Sequence, residues 1–267
     1  MGLIGRIKTR NSFQIIDEVS DKRYKFNDLH EVIWANEVNG LVFCYLDNSF
    51  ESISFLLKAL ESKHVLVLLS ITLSNNFKES LEGLYAPKYI FDASRSEIAT
   101  YTKIGSVLYY KLPLEQQVLH PDLKVLLSTS GTTGSPKLVK LSERNLLTNA
   151  ESIAAYLPIS STDNVPLNLP VHYSYGLSVL TSNAISGATV CAGSLDIMSK
   201  GFWENFQKYQ YSSIAGVPYV YEMLDRIGFT KWIYQVSAIL RKQGVNCVMT
   251  LLKSTEHMQI LWVSCST

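Results

Sequence analysis

From residue 40 onward, short apolar runs alternate with stretches whose apolar residues recur every three or four positions. LVFCYL after Gly40, HVLVLLS and PKYIFDA are compact apolar runs of the length expected for buried strands. Between them, SFESISFLLKALES places Ile53, Leu56, Leu57 and Leu60 at helical spacing, with Ser49 positioned to cap, and NNFKESLEGL reads as a second helix. The order strand, helix, strand, helix, strand predicts parallel β-α-β winding. Before this block, KRYKFNDLHEVI reads as a short strand turning into a helix at Asn27–Asp28.

A second alternating block starts near Val107. VLYYKL and KVLLSTS are strand-like, and a Gly/Ser/Thr loop from Ser130 to Pro136 separates the latter from KLVKL. ERNLLTNAESIAAYL predicts a helix capped by Ser142, with Leu146, Leu147, Ala150, Ile153, Ala154 and Leu157 as its apolar stripe. NVPLNLP, a helix from about Gly176, ATVCAG, a helix at FWENFQKY, SSIAGV and a helix opening at Pro218 continue the alternation. The fold class is α/β, with at least two βα blocks.

Composition narrows the function classes. The chain has 267 residues, with 24 basic against 23 acidic side chains and a net charge of +1, which argues against a nucleic-acid surface. The longest clean apolar run, Val65 to Leu69, is too short to cross a bilayer, and MGLIGRIKTRNSF lacks a signal-peptide core. Cys44, Cys191, Cys247 and Cys265 show no C-x-x-C spacing, so neither a zinc site nor a disulfide framework is expected. The expectation is a cytoplasmic protein with no metal-ligand motif and neither nucleic acid nor membrane as a partner.

The chemistry concentrates in LLSTSGTTGSPKLVKL. Gly131 and Gly134 permit backbone angles that let successive N–H groups turn inward around an anion. Ser130, Thr132 and Thr133 add hydroxyl donors, and Lys137 adds a mobile positive charge suited to polyphosphate. The spacing is neither that of a Walker P-loop nor that of a kinase glycine loop. On composition alone, an anion cradle and a flexible Ser/Gly hairpin are both open.

T-S-G-T-T-G-x-P-K-x-V, here Thr129 to Val139, resembles the phosphate-loop signature of the adenylate-forming superfamily, which includes acyl-CoA synthetases and peptide-synthetase adenylation domains. LPVHYSYGLSVL resembles the same family's P-x-x-[HY]-x-x-G-L motif, with Pro170, Tyr173, Gly176 and Leu177 in register. Many members carry a histidine where Tyr173 stands; His172 falls one residue early, so no histidine role transfers to it. Tyr175 is open as pocket wall or ordinary core. GVPYVYEML, beginning at Gly216, resembles a segment bordering the acyl pocket. The resemblance implies a partial N-terminal adenylation domain of two βα-type sheets with flanking helices. It implies an ATP- and Mg2+-dependent carboxylic acid ligase that forms an acyl-adenylate and then, on coenzyme A or a carrier-protein thiol, a thioester. Thr129, Ser130, Gly131, Thr132, Thr133, Gly134 and Lys137 would hold the β- and γ-phosphates; Tyr173, Tyr175, Gly176 and Gly216 would border the substrate pocket.

The remaining motifs of that family, a Gly-Gly adenine turn, Y-G-x-T-E for magnesium, a ribose-binding aspartate and a C-terminal lysine, do not follow Leu224. Instead IYQVSAILRKQGVNCVMTLLKSTEHMQILWVSCST completes the sequence without amphipathic period or turn signals. A reading-frame slip accounts for this. If Lys231-Trp232-Ile233 is encoded AAA TGG ATT, restoring one A gives AAA ATG GAT T. Codon choices in the opened frame then permit KMDLPSLRYFTQAGGKL, which resembles the missing Gly-Gly segment. A chance match over Leu240 to Cys247 is on the order of one in a thousand. The expected organisation is therefore 1–231 as a partial adenylation domain and 232–267 as an out-of-frame tail. The alternative function is a catalytically inactive remnant with weak nucleotide-phosphate binding.

Overall fold

The computed structural model describes residues 1–35, 39–112, 118–128, 137–193, 195–226, 246–254 and 258–266. The chain opens with α1 (Leu3–Lys8), β1 (Gln14–Asp17) and β2 (Lys22–Lys25). The first block follows as β3 (Leu41–Leu46), α2 (Phe50–Ala59), β4 (Val65–Ser70), α3 (Asn75–Tyr85) and β5 (Tyr89–Asp92). Next come β6 (Thr102–Ile104), β7 (Leu108–Tyr110), β8 (Leu123–Ser128), β9 (Leu138–Ser142) and α4 (Glu143–Tyr156). The chain continues through β10 (Asn164–Pro166), α5 (Ser174–Ser186), β11 (Thr189–Ala192), α6 (Lys200–Lys208), β12 (Ser213–Gly216) and α7 (Pro218–Arg226). The strands β13 (Asn246–Ser254) and β14 (Met258–Ser266) are the last elements.

The large sheet runs β6-β7-β5-β3-β4-β8-β9, with β5, β3, β4 and β8 mutually parallel. Its central strands β3 and β4 are buried on both faces, which explains their unbroken apolar runs. Alternate residues point to opposite sides. Val42, Cys44, Leu46, Leu66 and Leu68 meet Ile53, Leu56 and Leu57 of α2. Phe43, Tyr45, Val67 and Leu69 face Leu81 of α3. The two crossover helices therefore cover opposite faces, as the β-α-β pattern predicts. Ser49 caps α2 by accepting from the Ser52 N–H, and Ser142 caps α4 by accepting from the Asn145 N–H.

The second sheet has the order β10-β11-β1-β2, with β1 and β10 both parallel to β11. Its central strand β1 lies in QIID, a segment too short to announce itself by periodicity. Asn27 and Asp28 form a single 3-10 turn rather than the expected helix, because Asp28 folds back to accept from the Lys25 N–H and closes the turn. A third, antiparallel sheet has the order β12-β14-β13. Its β13 and β14 fall in the stretch where the sequence offered no pattern, and β14 pairs with β12 from Ser213↔Trp262 to Gly216↔Gln259.

Two charge features stand inside this frame. Lys78 of α3 donates to Asp92 at 2.9 Å, and Arg95 bonds both Asp92 (2.7 Å) and Glu82 (2.5 Å); Lys78 and Asp92 are 1% and 0% exposed. Burial alone would raise the Asp92 carboxyl, but hydrogen bonds from Ser94, Lys78 and Arg95 outweigh it and hold the group below its usual range. Two buried histidines are the second feature. His64 is lowered to about 4 by burial and by the charges of Lys88 and Lys124, and His172 is lowered to about 4 by burial.

Between an unfolded value near 6.5 and a folded value near 4, the unfolded chain takes up protons that the folded chain refuses. Stability is therefore expected to fall as pH drops from about 6.5 towards 4, read as a lower urea midpoint at pH 5 than at pH 7. Glu18, raised by burial, acts in the opposite sense over the lower part of that window. A His64→Asn, His172→Asn double variant isolates the histidine share, and an unchanged slope in it would refute the assignment.

Candidate functional site

The parallel strands β3, β4, β5 and β8 all deliver their carboxyl ends to one edge of the large sheet. Crevices outside that edge are where open α/β sheets hold ligands. The Gly/Ser/Thr segment leaves from this edge. It follows Ser128 at the end of β8 and returns at Leu138 in β9, and Ser128 and Leu138 are antiparallel partners. Thr129, Ser130, Gly131, Thr132, Thr133 and Gly134 lie outside the described residues. Lys137 is described; it is solvent-exposed at the foot of β9.

The other expected site residues separate by role. Tyr173 occupies the N-cap position of α5 in extended conformation and is 44% exposed. Tyr175 reaches across to β12, its hydroxyl donating to the Gly216 carbonyl at 3.4 Å. Those two residues are thus brought together, with Asn168 Nδ2 donating to the neighbouring Ala215 carbonyl at 2.6 Å.

Gly176 has a packing reason for its identity. A Cβ there would stand 2.2 Å from the Pro170 carbonyl oxygen and 2.6 Å from that of Leu169, so helix and preceding segment touch backbone to backbone. Gly176→Val is expected to destabilise the chain by about 3 kcal/mol, at the upper end of overpacking effects, in a urea melt. A loss below about 1 kcal/mol would show that the segment yields freely.

His172 is buried beside Tyr173, its ring bonded to the Leu46 carbonyl at the end of β3, and Nδ1 has no partner among the described residues. Its placement is that of a buried strut between the sheets. Asn48 is a residue the sequence reading missed. Its Nδ2 donates to the Leu167 and Leu169 carbonyls (2.5 and 2.9 Å), and its Oδ1 accepts from the Val171 N–H at 3.1 Å. One side chain thereby fixes the segment carrying Pro170 to Tyr175 against the β3–α2 turn. Its only sequence signal is an amide in a turn after a buried strand, LDNSF.

Two cavities adjoin these elements. One, of about 310 Å3, lies among α4, α5, β10 and β12 and is lined by Ile153, Val165, Tyr175, Val179 and Ala215. The other, of about 760 Å3, lies between α5 and the β8–β9 pair and includes Ser128, Val139 and Leu177. They share Asn149, Ser174 and Ser178 as common walls, so the two cavities are neighbours, one at the root of the Gly/Ser/Thr loop and the other at Tyr175. Among the described residues, no helix is long and apolar enough to cross a membrane, and no group of three His, Cys, Asp or Glu could hold a metal ion.

Comparisons with known proteins bear on this arrangement. The chain is 32% identical over 113 residues to the oxalate–CoA ligase of Arabidopsis thaliana, covering 41% of this chain and 22% of that one. It is 34% identical over 111 residues to the acyl-CoA synthetase ALT10 of Alternaria alternata, covering 41% and 19%. The chain thus matches about a fifth of the length of these curated relatives.

Among solved structures, the o-succinylbenzoate CoA synthetase MenE of Bacillus subtilis, in complex with the acyl-adenylate OSB-AMP, superposes with a TM-score of 0.65 at 20% identity. That match covers 84% of this chain and 63% of that one. MatB of Rhodopseudomonas palustris gives 0.64 at 17% identity, covering 84% and 51%. The fold is that of the N-terminal domain of adenylate-forming enzymes. The profile of the AMP-binding enzymes matches residues 40–258, from β3 through the loop and α5 to the start of β14, and the chain belongs to that family.

Proposed function

We propose that this chain derives from an ATP-dependent carboxylic acid ligase. In that reaction a carboxylate attacks the α-phosphorus of ATP, pyrophosphate leaves, and an acyl-adenylate forms that passes to a thiol of coenzyme A or a carrier protein. The observation that carries the reading is the position of Thr129 to Lys137, inserted between β8 and β9 at the carboxyl edge of the parallel strands. The two neighbouring cavities supply a place for an acid beside the strand end from which that segment departs.

In this reading Thr129, Ser130, Gly131, Thr132, Thr133, Gly134 and Lys137 hold the β- and γ-phosphates by backbone and hydroxyl donors and one ammonium. Tyr173, Tyr175 and Gly216 border the acid, and Gly176 allows α5 its close approach. Magnesium accompanies the ATP, with no ligand assigned to it in this chain.

Residues 232–267 we assign to a shifted reading frame, on the codon argument above. The chain as written then acts at most as a weak phosphate binder, and a frame-restored version carries the activity. Acid-dependent exchange of labelled pyrophosphate into ATP tests both parts. Exchange is expected in the restored protein and is expected to fall about a hundred-fold in Lys137→Ala, the size of effect seen when one preorganised donor to developing charge is removed. Undiminished exchange in that variant would refute the loop assignment.

A further inference from the structure

The strand β10 ends at Pro166, and the Leu167 N–H still donates to the Cys191 carbonyl of β11 at 3.0 Å. Beyond that bond the chain leaves the sheet and runs as a strap to the start of α5 at Ser174. Main-chain groups on such a strap need partners, and a single side chain supplies three of them. The Leu167 and Leu169 carbonyls accept from Asn48 Nδ2, and the Val171 N–H donates to Asn48 Oδ1. An amide side chain offers two N–H donors and an acceptor in one plane, so Asn48 stands in for the neighbouring strand that the strap lacks there.

The base of this clamp is itself fixed. Asn48 lies between Leu46, the last residue of β3, and Ser49, the cap of α2. Asp47 Oδ1 accepts from the Ser49 N–H at 3.0 Å and from the Ser52 hydroxyl at 2.7 Å, which closes the turn. The Leu46 carbonyl accepts from the Ile71 N–H at 3.1 Å and also from the His172 ring, a second tie between strap and strand end.

On its far side the strap meets β12 through Asn168 and the Ala215 carbonyl. Between the two sides lies a contact that passes displacement on. The Leu169 and Pro170 carbonyls abut Gly176, the point where the strap touches α5 backbone to backbone. Such a contact has no side chain to yield, so the strap and the first turn of α5 move together. Tyr173 and Tyr175 flank that turn, and Tyr175 reaches Gly216 from it. Asn48 itself lines neither of the two cavities.

We propose that Asn48 is a positioning residue of the candidate site, which sets where Tyr173 and Tyr175 stand by holding the strap from the β3–α2 turn. The role of those tyrosines rests on the acid-activation reading; the hold on them rests on the hydrogen bonds.

Two measurements on the full chain test the hold. In Asn48→Ala, amide hydrogen exchange at Val171 is expected to quicken at least about ten-fold, since its acceptor is gone. In Asn48→Asp, which keeps an acceptor for Val171 and loses both donors, a 3-fluorotyrosine resonance at Tyr175 is expected to shift, while one at Tyr109 on β7 stays in place. A general loss of stability would disturb both. An unmoved Tyr175 resonance in a folded variant would overturn the proposal. So would a Val171 amide in the unaltered chain that exchanges as fast as in a free peptide, with no variant needed.

A third measurement tests what the hold is for. In the frame-restored protein, pyrophosphate exchange is driven by acetate, benzoate or octanoate, whichever is fastest. Asn48→Asp is expected to lower kcat/KM for that acid about a hundred-fold, the size of effect of a small misplacement, with KM raised. A merely structural loss would lower kcat through the folded fraction and leave KM unchanged, and that result would overturn the positioning role. The two readings fail separately. If none of the three acids drives exchange in the restored protein, acid activation of them is refuted, and the Val171 and Tyr175 measurements still decide on Asn48.

Discussion

Asp92→Ala is expected to destabilise the chain by about 3–5 kcal/mol, a large part of the 5–15 kcal/mol that holds a typical domain folded. The carboxylate stands at the carboxyl end of β5 between Lys78 and Arg95, and Ser94 donates to it through both its N–H and its hydroxyl. Removing it leaves the Lys78 ammonium, 1% exposed, deprived of its carboxylate partner and with Ser94 Oγ at 2.9 Å as the remaining neutral acceptor. Glu82 sits close by but is engaged by Arg95 and by the Tyr45 hydroxyl. The penalty arises from the stranded charge rather than from the worth of the pair, so Lys78→Met in the Asp92→Ala background is expected to recover part of the loss. Urea melts of the single and double variants check both statements. A single-variant loss below about 1 kcal/mol would mean that water reaches Lys78 and solvates it.

The second large effect is a gain. Inserting one adenine into the codons for Lys231-Trp232 is expected to raise acid-dependent pyrophosphate exchange at least about a thousand-fold, since charge stabilisation at a phosphoryl centre supplies several kcal/mol. The present strands β13 and β14 are then replaced by other residues along the β12 edge. Exchange that stays at background after the insertion, in a protein that melts cooperatively, refutes the frame assignment. So does a genomic codon run over residues 240–247 that cannot be read as the Gly-Gly segment.

Most of the large sheet was legible because its order is written in local pattern: three apolar runs, two helical stripes and Ser49 and Ser142 at the caps. What escaped depends on contacts distant in sequence. Lys78 and Glu82 stand at i and i+4 in NNFKESLEGL, the spacing of an exposed helical ion pair. The helix instead turns both inward to meet Asp92 and Arg95, which no periodicity announces. QIID is a strand because β11 lies beside it.

Of the candidate site, the motif positions were legible as letters before they were legible as physics. Gly176 is explained by the carbonyls of Leu169 and Pro170, and Tyr175 by the carbonyl of Gly216. Asn48, which no motif contains, joins the two halves.

The position of β1 also sets an order of events during synthesis. Gln14 to Asp17 are made some 175 residues before their parallel partners Thr189 to Ala192. β3, β4, β5 and β8 are all complete by residue 128 and can condense while the N-terminal segment still waits. The helix α1 and the β1–β2 hairpin are thus the last part of this half to be enclosed, although they leave the ribosome before β3. A chaperone that covers residues 3–25 would be guarding a segment with a long delay between emergence and burial.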